Sequence, residues 1–139
     1  MAVKISRREA REHILALIYE TEFRQNEDRS VIFDLASEER EIPKDEFIKN
    51  TYFGICEHLE EIDELIAKHS VGWKTERMSH VSRAILRLGA YELAFCSDIP
   101  SRVSLNEAIE LTKKYDEDRA RAFINGILNS IKNEVGEKQ

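Results

Sequence analysis

Apolar residues recur along most of this chain at steps of three and four, the spacing that lines one face of an α-helix. Ala10, Ile14, Leu17 and Ile18 follow that rhythm behind Ser6 and Glu9. These two form a capping box, in which the serine oxygen takes the amide proton three residues on and the glutamate reaches back. The pattern predicts a first helix from there to about Asn26. After the polar turn NEDR, Ile32, Leu35 and Ala36 place a short second helix over about 30–39. Pro43, suited to the first turn of a helix, introduces the longest periodic run, formed by Ile48, Tyr52, Ile55, Leu59, Ile62 and Ile66. Phe47 widens that stripe, and Glu57, Glu60, Glu61 and Glu64 form its solvated side, so one helix is expected over about 44–68.

The segment HSVGWKTERMS breaks the rhythm at Gly72. It marks a boundary between helical subdomains of about 1–70 and 74–135 inside a single domain of 1–139, with Trp73 to order the connector. Ser79 then caps a helix in which Val81, Ala84, Ile85, Leu88, Tyr91 and Phe95 face one way and Leu86, Gly89 and Leu93 another. A helix apolar on more than one side belongs at the centre of its bundle. Gly89 costs about 1 kcal/mol relative to alanine, which a close helix crossing would explain. Pro100 stops this helix, and Ser104 with Glu107 reads as a second capping box, with Val103 and Ala108 as its hydrophobic staple, opening a helix over about 105–115. The acidic turn DED at 116–118 offers an N-cap to a last helix containing Phe123, Ile124, Ile127, Leu128 and Ile131. The expected fold class is all-α, a compact helical bundle of two packed helical subdomains.

Composition agrees: 42% of the 139 residues are hydrophobic and 35% charged, with only five glycines and two prolines. A chain of this length buries a core without a disulfide or metal staple. Cys56 and Cys96 are isolated and read as packed thiols, and the four histidines are scattered without metal-ligand spacing. No phosphate-cradling glycine loop and no nucleophile beside a base is visible, so neither catalysis nor a cofactor is expected. No apolar run approaches the roughly 18 residues of a membrane span, and MAVKISRREARE lacks the apolar core of a signal peptide. The expected location is the cytoplasm.

Charge changes the picture more than composition does. The net charge of −6 is uneven: residues 1–25 carry +1, residues 26–70 carry −8 and residues 71–139 carry +1. Against this background Arg7, Arg8 and Arg11 crowd the start of the first helix, where the helix dipole disfavours each cation by about 0.3–1 kcal/mol. They fan over one side of two turns, and Lys4 can join them. Arginine offers both a bidentate fork for phosphate and a flat face for bases, which suits single-stranded RNA. The interleaved Glu9 and Glu12 could instead neutralise the arginines, and these residues alone leave both readings open. Arg83 with Arg87, and Arg119 with Arg121 near Phe123, could extend the patch or lie on ordinary surface. Tyr19, two turns beyond Arg11, is either a half-buried aromatic or a stacking platform.

Four blocks in order carry a resemblance. RREAREHILALIYE (7–20) is similar to the arginine-rich opening helix of the NusB family of bacterial transcription antitermination factors, and RAILRLGAYEL (83–93), DIPSRVSLNEAIELTKKY (98–115) and FINGIL (123–128) resemble its C-terminal stretches. The resemblance implies two helical subdomains and binding of single-stranded boxA RNA together with NusE, a small-subunit ribosomal protein. It further implies service in an antitermination complex on RNA polymerase, notably on ribosomal RNA operons, without catalysis or cofactor. The family's RNA contacts map to Arg7, Arg8 and Arg11, with Lys4 a weaker member, and to Tyr19 and Phe123; Arg119 and Ser82 map near the RNA path. Glu9 departs from the richest form of the arginine motif. The competing expectation is a helical protein-interaction adaptor whose arginines serve a protein interface, including a homodimer that buries the patch until NusE arrives.

Overall fold

The computed structural model describes residues 4–72 and 78–136. Among them are seven helices and no strand: α1 (Arg7–Glu22), α2 (Arg29–Glu39), α3 (Glu46–Glu57), α4 (Leu59–Lys68), α5 (His80–Phe95), α6 (Ser101–Tyr115) and α7 (Ala120–Val135). The chain forms two compact units, residues 1–57 and 58–139. Trp73 lies outside the described residues.

In the first unit α1 packs on both α2 and α3. The predicted stripe of α1 is buried, with Ala10, Ile14, Leu17 and Ile18 meeting a core that includes Ile32, Ile48, Tyr52 and Ile55. Tyr52 is fully buried, so its phenol needs a partner. Thr21 donates its hydroxyl proton to the Leu17 carbonyl at 2.7 Å, which leaves its oxygen to accept the Tyr52 O–H at 2.6 Å. Burial pushes the Tyr52 phenol and the neighbouring Cys56 thiol up from their ordinary values. Helix α1 ends at Glu22, four residues before the expected end. There the Phe23 and Arg24 N–H groups close tight turns, and Arg24 forks onto Glu27 at 2.5 and 2.7 Å. Asp28 caps α2 by accepting from the Ser30 N–H at 2.8 Å.

The single helix expected over 44–68 is two helices. Pro43 precedes α3 without entering it, and the carboxylate of Asp45 accepts from the Ile48 N–H at 3.1 Å at the helix start. The helix breaks at His58, and α4 groups with the second unit, whose α5 it packs against. The reason lies in the partners of the stripe. Tyr52 and Ile55 are buried in the first unit, while the His58 ring stacks on Phe95 of α5 at 4.3 Å and Ile62 and Ile66 are buried beyond it. The four glutamates of the solvated side are all exposed.

In the second unit α5 contacts α4, α6 and α7. Ala84, Ile85, Leu86, Leu88, Ala90 and Leu93 are all buried, so α5 is the central helix its pattern predicts. Ser79 caps it, its oxygen accepting from the Ser82 N–H at 2.9 Å. Helix α6 starts earlier than expected, at Ser101 directly after the extended Pro100. Ser104 is therefore no cap but an interior residue, donating its hydroxyl at 2.7 Å to the carboxylate of Glu92, which is only 1% exposed. A buried carboxylate is costly without such donors. His69 ties the end of α4 to α7, its ring bonding Ser130 at 2.6 Å and Glu134 at 3.1 Å. Lys68 also pairs with Glu134 and holds its carboxyl below the usual range.

Gly89 of α5 faces fully buried Leu128 of α7. A Cβ at Gly89 would lie 2.8 Å from Leu128 Cδ1 and 3.1 Å from Cδ2. Displacing a buried leucine strains the core by about 1–3 kcal/mol, more than the helix propensity of roughly 1 kcal/mol that alanine returns. Gly89→Ala is therefore expected to lower unfolding free energy by about 1 kcal/mol in urea titrations. Combined with Leu128→Val, it should cost less than the sum of the two single changes. A Gly89→Ala chain as stable as the parent would show that α7 does not need this close approach.

Candidate nucleic-acid interface

Ser6 sits in extended backbone and its oxygen accepts from the Glu9 N–H at 3.1 Å, so the first capping box forms. Its second half differs in detail: the Ser6 hydroxyl donates to the Glu9 carboxylate at 3.3 Å. Glu9 thus lies at the positive end of the helix, where its charge is favourable. Lys4, Arg7 and Arg8 are exposed around this cap.

Arg11 is not at the surface; it is 4% exposed. What brings Arg7 and Arg11 together is Phe47 of α3. The guanidinium carbon of Arg7 lies 4.1 Å from the centroid of that ring and that of Arg11 5.5 Å. Both distances fall within the range of cation–π attraction. Phe47 reads in the sequence as the edge of an apolar stripe, and the structure makes it the meeting point of two arginines. The available signal was the i, i+4 spacing of Arg7 and Arg11, which fixes a shared face without saying what the face meets.

Tyr19 is 41% exposed, and its ring lies 5.2 Å from that of Phe23, which is also exposed. The two rings form an open aromatic pair at the far end of α1. Phe23 was missed in the sequence, although it stands one helical turn from Tyr19.

The second unit holds the remaining predicted residues. Ser82 is 1% exposed, and its hydroxyl donates to the carboxylate of Asp116, which also accepts from the Glu117 N–H at 2.9 Å. Ser82 therefore holds the turn between α6 and α7 and is not at the surface. That turn carries Arg119, whose side chain is 86% exposed and pairs with Glu117 at 2.5 Å. Arg119 also occupies the N-cap position of α7, so the acidic turn supplies no side-chain cap there. Arg121 is exposed, 3.6 Å from Asp118, and Phe123 is half-buried one turn beyond Arg119. Arg87 leaves the expected basic patch: it grips Asp63 through two bonds of 2.9 Å.

Fold and site define a class: an all-α protein that presents exposed cations and an exposed aromatic along its first helix. Known proteins narrow this to one family. The NusB family model matches residues 8–133. The transcription antitermination protein NusB of Bacillus subtilis (strain 168) is 41% identical over 131 residues, covering 94% of this chain and 98% of that protein. Its counterpart in Agathobacter rectalis is 41% identical over 127 residues, covering 89% and 97%. Among solved structures, T. maritima NusB matches with a TM-score of 0.81 at 37% identity, covering 95% of this chain and 94% of that one. A chain from the crystal structure of antitermination factors NusB and NusE in complex with dsRNA matches with a TM-score of 0.80 at 30% identity, covering 92% and 96%. The chain belongs to the NusB family.

The Ser82–Asp116 contact is testable by itself. Ser82→Ala is expected to lower unfolding free energy by about 1–2 kcal/mol, since it strips a hydrogen bond from a carboxylate. Asp116→Ala should cost less in that background than in the parent, because the two side chains share one interaction. Additive losses in denaturant titrations would mean that they act independently.

Proposed function

We propose that this chain is a transcription antitermination factor that binds single-stranded boxA RNA together with NusE and joins the antitermination complex on RNA polymerase, notably during ribosomal RNA transcription. It acts in the cytoplasm, without catalysis or cofactor. The observation that carries the reading is the placement of exposed Lys4, Arg7 and Arg8 around the start of α1. The first amide protons of a helix have no acceptor within it, and the dipole there favours an anion. A phosphate set against this end meets the helix dipole and exposed cations together. The arginines that burden the free helix become favourable once RNA is bound.

In this reading Lys4, Arg7 and Arg8 contact phosphates and Tyr19 stacks on a base. Arg119 and Phe123 are the RNA-contacting residues of the second unit. Arg11 and Ser82, both buried, act by holding others in place: Arg11 at the Phe47 ring and Ser82 at the Asp116 turn. With a net charge of −6, the chain repels RNA away from these patches. NusE extends the contact surface and raises RNA affinity.

The test is fluorescence anisotropy with labelled boxA-type RNA, a scrambled strand and a duplex, with and without NusE. If three cations each neutralise one phosphate, log affinity falls with log salt at a slope of about −2, and Arg7→Ala/Arg8→Ala brings it to about −0.7. Tyr19→Ala should cost about 1–3 kcal/mol of binding free energy if one base stacks there. Equal binding by parent and double-alanine chains, or no boxA selectivity even with NusE, would give the arginines to a protein interface, as in an adaptor or homodimer.

A further inference from the structure

We propose that Phe47 is a positioning residue of the RNA-binding surface: its ring holds the Arg7 guanidinium ready for phosphate without cancelling its charge. The inference rests on the RNA-binding reading above. An arginine at an exposed helix start samples many rotamers, and binding phosphate would require all but a few to be given up. Contact with an aromatic face at 4.1 Å restricts that sampling in advance.

The choice of an aromatic holder matters. A carboxylate would fix the guanidinium equally well, but it would neutralise the charge and occupy the N–H fork. An aromatic ring attracts the guanidinium without neutralising it, so its charge stays available to phosphate. Buried Arg11 approaches the same ring at 5.5 Å, so the ring lies beside two cations of α1.

Phe47 is also not a central core residue. It is half-buried, next to fully buried Ile48, which with Tyr52 and Ile55 fills the interior beneath α1. A purely structural role there could be met by leucine.

The experiment compares Phe47→Leu and Phe47→Tyr, each in the parent and in the Arg7→Ala background, by boxA RNA titration at low salt. Phe47→Leu is expected to weaken binding about two- to fivefold. Phe47→Tyr, which keeps the ring face, should restore most of that loss. In the Arg7→Ala background Phe47→Leu should have much less effect. Unchanged binding in Phe47→Leu, or the same weakening in both backgrounds, would overturn the proposal while the RNA-binding reading stands. Failure of the parent chain to bind the RNA at all would overturn both. An NMR measurement on the free parent chain requires no variant: the Arg7 δ-methylene protons should be shifted upfield by the ring. An unshifted Arg7 signal would also overturn the proposal.

Discussion

Leu128 lies against the bare backbone of Gly89, and the placement of α7 against α5 follows from that contact. Interior packing is dense enough that a single added carbon at a crossing must be accommodated by its neighbours. Helix α5 can serve three neighbouring helices because its buried residues run around it, and α7 brings Ile124, Ile127, Leu128 and Ile131 to one of those sides. Once α7 is seated, Arg119 and Phe123 at its start are seated with it. Asp116 completes the arrangement by anchoring the preceding turn to Ser82 on α5. Exposed Arg119 is therefore positioned by buried packing and a buried hydroxyl.

The first unit solves a different problem. Cations at the start of α1 oppose the helix dipole, so the helix needs compensation there. Ser6 supplies part of it by accepting from the Glu9 N–H, and Glu9 adds a negative charge within the first turn. Phe47 supplies another part through its attraction for Arg7 and Arg11. None of these three devices requires a carboxylate to sit on the Arg7 fork.

Local signals were legible in the sequence, and signals that depend on a distant partner were not. Ser6 and Ser79 cap their helices as their spacing predicts, because the acceptor and donor lie three residues apart. Ser104 has the same local pattern, yet its hydroxyl meets Glu92, and the helix begins earlier at Ser101. The break at His58 carries no glycine or proline, and it reflects a stripe whose two ends bury in different units. Among the arginines the same division holds. The exposure of Arg7 and Arg8 follows from the helical pattern, whereas Arg11 is buried near a ring from α3 and Arg87 is committed to Asp63, 24 residues away.

This division bears on how a motif should be carried from one family member to another. A motif records which residue types share a face, and it does not distinguish a side chain that touches a ligand from one that holds its neighbour. Arg11 and Ser82 belong to the recognisable pattern and are both buried. Their burial with polar groups intact is costly, so each requires a compensating partner. For Ser82 that partner is the carboxylate of the turn leading to Arg119, and Arg11 approaches the ring that also holds Arg7. Arg7 and Arg119 stand exposed, Arg119 beside Glu117, while the two buried residues cannot leave their partners without exposing a defect. The same motif thus contains both exposed side chains and the buried ones that support them.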